Sequence, residues 1–137
     1  MIENHELAVF LARVVLGILF FFQGFDKVFR IGISNVADEI SVQLIRLSFP
    51  RQLLIIASFI TSYIELVAGI LLFAGLFVNP LLIVLTIHMI FVALAFSLIN
   101  PIWDMKIYLP RLVLLIFLLC VPGDWYSFGI DQFIQKP

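Results

Sequence analysis

Glu65 lies near the middle of one long apolar stretch, Arg13 within another and His88 within a third. A carboxylate, a guanidinium and an imidazole in such surroundings form a donor and acceptor set suited to proton exchange, or to holding a quinone or other small molecule. A charge at the centre of a membrane helix costs about 3 kcal/mol on insertion scales, so such residues face a bundle interior and take partners. Arg13 is the expected partner of Glu65, either as an ion pair that fixes helix register or as one wall of a functional pocket.

His88 admits two readings: a neutral buried histidine that hydrogen-bonds a neighbour, or a third member of the Arg13 and Glu65 site. A haem held by two histidines is not expected, because His5 lies at the N-terminus, outside the apolar stretches. His88 and Glu65 alone supply too few ligands for a closed metal site, so no metal is expected. The single cysteine, Cys120, excludes an internal disulfide and a C-x-x-C pair, and reads as a small apolar residue.

The elements that position these residues follow from composition. The chain has 137 residues, of which 64% are hydrophobic and 12% charged, and its mean hydropathy is +1.19. Those values exclude an ordinary soluble domain and indicate an integral membrane protein. A spanning helix needs about 20 mostly apolar residues. Four segments come close, at residues 7–29, 53–78, 80–99 and 107–121. The expected fold is therefore all-α, a bundle of four transmembrane helices forming a single domain. Continuously apolar runs such as residues 18–22 lack the alternation a β-barrel requires. Without a basic start or a cleavage signal, the first segment reads as retained, and a net charge of −1 gives no indication of nucleic acid binding.

Between the first two spans, Ile33, Val36, Ile40, Leu44 and Leu47 recur at helical spacing among charged residues. An amphipathic segment over about 35–48 is expected to lie at the membrane interface, capped by Asn35 and stopped by Pro50. Asn79-Pro80 reads as a tight turn into the third helix, and Asn100-Pro101 as that helix's end. Trp103, Tyr108, Trp125 and Tyr126 are placed for aromatic belts, and residues 128–134 for a short interfacial tail. Lys27, Arg30, Arg46, Arg51, Lys106 and Arg111 fall on one side of the membrane and Lys136 on the other, which predicts both termini outside the cytoplasm.

At about 100° per residue, Arg13, Gly17, Phe20, Gly24 and Lys27 share one face of the first helix. Ser58, Thr61, Ser62, Glu65 and Gly69 share one face of the second. Small residues let helices approach closely, so Gly17, Gly24 and Gly69 are expected to pack these two faces together. A rise of about 1.5 Å per residue puts Arg13 roughly 9 Å and Glu65 roughly 20 Å from the same boundary, and His88 roughly 12 Å into its helix. Extended side chains, a water, a hydroxyl or His88 would then bridge the remaining gap. Asp26 is a second candidate partner beside Lys27, and Arg111 reads as a snorkelling interface anchor.

The segments LARVVLGILFFFQGFDKVF, ELVAGILLFAGLF and CVPGDWYSFGID resemble the DoxX family of small four-helix membrane proteins. The resemblance matches Arg13, Gly17, Gly24 and Lys27 to the family pattern of the first helix, and Glu65, Gly69 and Gly75 to that of the second. Pro122, Gly123, Trp125, Ser127 and Asp131 match its closing pattern, with Tyr126 inserted. The family is named for a subunit associated with thiosulfate:quinone oxidoreductase, and related members look like partners of redox proteins or assembly factors. The resemblance implies a small subunit or accessory protein of a quinone-linked membrane oxidoreductase complex. Such a protein would carry no cofactor of its own except a bound quinone, held at a site comprising Arg13, Glu65, His88 and Lys27. A non-catalytic subunit is favoured over a self-sufficient enzyme. The alternative is a scaffold or assembly factor whose segment 35–48 docks a partner. Expected surroundings are the lipid bilayer of a bacterial cytoplasmic (inner) membrane and other membrane proteins. A solute carrier is disfavoured by the lack of an internal repeat.

Overall fold

The computed structural model describes residues 4–44, 49–99, 105–126 and 128–131, and all regular structure among them is helical. Helix α1 spans Asn4–Phe25 and runs on through a π-helical turn at Asp26–Ile31. Gly32, at φ +86°, ends that turn with a conformation that other residues rarely adopt. Helix α2 covers Ile33–Gln43, α3 covers Arg51–Ala74, α4 covers Val78–Ile99 and α5 covers Met105–Cys120. A single 3₁₀ turn follows at Gly123–Trp125.

The segments Asn4–Ile31, Arg51–Ala74 and Val78–Ala95 are long and apolar enough to cross a bilayer. Helix α5 has only 16 residues, a rise of about 24 Å against a hydrocarbon core of about 30 Å. The expected four-span bundle is thus observed as three span-length helices joined by a shorter apolar fourth.

Interior packing depends on how near α1 and α3 come to each other. A Cβ added to Gly17 would lie 2.8 Å from the Phe73 nitrogen, one on Gly24 2.7 Å from Leu66 Cα, and one on Gly69 2.9 Å from the Gly17 carbonyl oxygen. Backbone meets backbone at all three, and close van der Waals contact is what holds helices together where lipid removes the hydrophobic drive. Leu16, Phe20, Leu72, Leu82, Leu85, Leu115 and Leu118 fill the remaining core and are wholly enclosed. Leu11, Phe22, Phe59, Ile70 and Ile87 point outward and remain exposed, an apolar exterior that suits lipid rather than water.

Helix α2 rests on the N-terminal half of α3 through Ala37, Leu44 and Leu54. Arg51 strengthens the contact, donating from Nε to Asp38 Oδ1 at 2.7 Å and from Nη2 to Oδ2 at 3.1 Å. That hydrogen bonding holds the Asp38 carboxyl below the usual carboxylate range. Asn35 does not cap α2: Gly32 occupies that position, and the Asn35 amide instead donates to the Ile31 carbonyl at 2.7 Å. Pro50 precedes α3 as its N-cap residue.

The α3–α4 turn also differs from expectation. Gly75, at φ +71°, terminates α3 in the left-handed conformation, and Phe77 adopts φ +52°. Helix α4 then begins at Val78, so Pro80 is its third residue, still in the first turn where a missing N–H costs nothing. Tyr108 is buried in the core rather than placed in a belt, while Trp125 stacks against His5 with ring centroids 4.2 Å apart. The proposed roles of Arg46, Leu47, Ser48, Asn100, Pro101, Trp103, Ser127, Lys136 and the tail 132–134 lie outside the described residues.

Candidate functional site

The glycine contacts set the register of α1 against α3. Gly17 faces Phe73 and Gly24 faces Leu66, so the helices run antiparallel and seven residues of one match seven of the other. Glu65 is therefore carried opposite the stretch from Gln23 to Lys27, and Arg13 opposite the far end of α3.

Glu65 is fully enclosed. The Lys27 ammonium donates to Oε2 at 2.7 Å and to Oε1 at 2.9 Å. His88 Nε2 lies 3.1 Å from Oε1, and Gln23 Nε2 donates to the same oxygen at 3.3 Å. With His88 carrying its proton on Nε2, three donors from two helices and the π-helical turn converge on one carboxylate. The low dielectric of the interior makes these charge-assisted bonds strong and the loss of any of them costly. Lys27 stands where helical geometry gives way to the wider turn, with 23% of its side chain exposed; it links the buried acid to the membrane surface.

Arg13 does not pair with Glu65. The register leaves them about twelve residues apart along the helix pair, roughly 18 Å, a gap wider than the depth count suggested. Arg13 is nonetheless buried, donating to the Leu72 carbonyl at 3.2 Å and to the Phe128 carbonyl. The first of these belongs to the last turn of α3, where unsatisfied carbonyls favour a cation. Asp131, close enough to act electrostatically on Arg13, completes a second polar centre. Its carboxylate accepts from the Phe77 amide at 3.0 Å and the Val78 amide at 3.2 Å, and its own amide donates to the Gly75 carbonyl at 3.1 Å. Asp131 thus caps α4 from a distant part of the chain. A cavity of about 180 Å³ lies between these groups, walled by Arg13, Gly75, Tyr126 and Asp131 among others. Tyr126 is held by a hydrogen bond from its hydroxyl to the Leu118 carbonyl, and burial pushes that hydroxyl's pKa up.

Of the four expected binding residues, Lys27, Glu65 and His88 come together and Arg13 stands apart. Asp26, the other suggested partner of Lys27, instead accepts from Arg30 at 3.1 Å. Arg111 is half-buried and borders a groove of about 350 Å³ with Ile18, Leu19, Phe22, Gln23 and Asp26. Among the described residues no cluster of three His, Cys, Asp or Glu side chains could hold a metal. Buried atoms without a protein partner occur at Gln23 Oε1, Ser58 Oγ and Ser62 Oγ.

Sequence reasoning missed Gln23 and the capping role of Asp131. Gln23 carried a usable signal, since a polar side chain inside an apolar span follows the same rule that singled out Glu65. Asp131 belongs to the closing pattern of the family resemblance, but nothing local reveals its capping role, because its amide partners lie more than fifty positions away.

The family model of DoxX matches residues 8–98. That interval contains most of α1, all of α2 and α3 and nearly all of α4, with every member of the Glu65 cluster. No curated protein and no solved structure matches the chain.

Proposed function

The chain belongs to the DoxX family, and on that premise we propose that it is a small accessory subunit of a quinone-linked membrane oxidoreductase complex in a bacterial cytoplasmic membrane. One observation carries the reading: a fully buried Glu65 bound to Lys27, His88 and Gln23 within the apolar bundle. A quinone presents carbonyl acceptors and needs protons when reduced. Lys27 and His88 are donors to such carbonyls, and the Lys27–Glu65 pair can hold or release a proton beside them. The partly exposed Lys27 side chain marks the approach. Electrons would come from a partner that holds the redox cofactor.

Purification with native lipids followed by quinone extraction tests this. The expected result is quinone recovered with the wild-type protein and reduced in Glu65→Gln, with impaired quinone reduction by co-purifying partners. An empty wild-type protein whose partners work equally well with Glu65→Gln would overturn it.

A scaffold role is the second reading, and it is favoured by the complete pairing of Glu65, whose two oxygens are already occupied. Under that reading Glu65→Gln lowers abundance, while charge reversal at exposed Glu39 disturbs partner capture at normal abundance. Asp38 is unsuited to the same test because it is tied to Arg51.

A further inference from the structure

The groove between α1 and α5 adjoins the Glu65 cluster only through Gln23, and its charge balance is unequal. Lys27 and Glu65 offset one another at 2.7 Å, as do Arg30 and Asp26 at 3.1 Å. Arg111 forms no ion pair among the described residues; it senses the Glu65 carboxylate only through space. One guanidinium, about two turns into the apolar helix α5, therefore remains without an ion-pair partner. Such a cation in an apolar segment is costly unless an anion meets it.

The groove beside it has the form of an amphiphile's seat. Ile18, Leu19 and Phe22 make an exposed apolar wall on the lipid side, while Gln23, Asp26 and Arg111 make a polar end. Its volume of about 350 Å³ is that of roughly ten waters. Among the described residues the same end of the bundle carries Lys27, Arg30, Arg51, Lys106 and Arg111 against Asp26, Asp38, Glu39 and Glu65, a small positive excess that draws anionic head groups to it. A neutral ring would leave the Arg111 charge standing, whereas a phosphodiester would cancel it with a planar, two-pronged contact.

We propose that this groove binds one anionic phospholipid, with Arg111 on its phosphate and an acyl chain along Ile18, Leu19 and Phe22. The Asp26 carboxylate borders the same space, and its pairing with Arg30 keeps it from repelling the phosphate. The proposal does not rest on the quinone reading, although Gln23 borders both places, because its readout is the mass of a bound phospholipid.

The test uses the full chain purified in mild detergent, exchanged into nanodiscs of phosphatidylglycerol and phosphatidylcholine, and released for native mass spectrometry. One phospholipid per chain is expected, with phosphatidylglycerol favoured about tenfold. Arg111→Gln is expected to abolish that preference, Arg111→Lys to keep part of it, and Leu19→Trp to expel both lipids by filling the groove. Glu39→Gln, at the exposed surface of α2 and outside the groove, serves as the control and leaves retention within about twofold. Equal retention of the two lipids by the wild type, or unchanged preference in Arg111→Gln, overturns the proposal. If Arg111→Gln does not fold, the wild-type melting midpoint decides, since it rises on adding phosphatidylglycerol to phosphatidylcholine micelles only if the site exists. Recovery of a neutral molecule from the groove also overturns it.

Discussion

Replacing Lys27 with methionine isolates the central interaction, because it removes the ammonium while keeping most of the packing volume. Glu65 would be left fully enclosed with only His88 at 3.1 Å and Gln23 at 3.3 Å. Breaking one partner from a buried pair typically costs 3–5 kcal/mol, since a charge is stranded. The expected loss in Lys27→Met is therefore about 3–5 kcal/mol. The assay is reversible unfolding in mixed micelles at pH 7, for wild type, Lys27→Met and the double variant Lys27→Met/Glu65→Gln. The double variant, which strands no charge, is expected to recover most of the loss. A single variant as stable as wild type at pH 7, or a double variant no better than the single, would refute the view that Lys27 neutralises this acid.

Gly24→Ala places a methyl group against the Leu66 backbone, so α1 and α3 must part, and a loss of about 1–3 kcal/mol is expected on unfolding. Gly123→Ala, where a Cβ meets nothing within 4 Å, is expected to unfold like wild type. Asp131→Ala removes the acceptor for two α4 amides, which predicts a loss of about 1–2 kcal/mol and faster hydrogen exchange at Phe77 and Val78. For Asp38, the Arg51 hydrogen bond depresses the carboxyl pKa. Its contribution is thus complete above about pH 4 and fades as pH falls through the folded value. Hydrogen exchange in α2 is expected to quicken over that range, and Asp38→Asn to show much less of this dependence.

Much of this arrangement was legible because membrane burial makes unusual residues informative. Glu65 stood out by depth alone, and the glycine stripe identified the faces of α1 and α3 that meet. Depth counted from the ends of apolar runs points Glu65 toward Arg13, whereas the register is fixed by Gly17 against Phe73 and Gly24 against Leu66. Lys27 shared the stripe with Arg13, yet its place near a membrane boundary disguised how far it reaches inward from the π-helical turn. His88 lies against Glu65 at 3.1 Å and apart from Arg13. Helix ends were less legible, since Gly75 and Phe77 build the α3–α4 turn that Asn79-Pro80 had suggested. Asp131 shows the limit of local reasoning, because a side chain that caps a helix across half the chain leaves no periodic trace.

The position of Asp131 also bears on the order in which the protein matures. During synthesis the α3–α4 hairpin leaves the ribosome with the amides of Phe77 and Val78 unsatisfied, and Arg13 waits for the Phe128 carbonyl. The hairpin therefore enters the membrane incomplete, and its final closure must come after translation has passed residue 131. A chain halted just short of that point would carry all its apolar helices, yet its α3–α4 turn would remain open to proteases that survey unfinished membrane proteins.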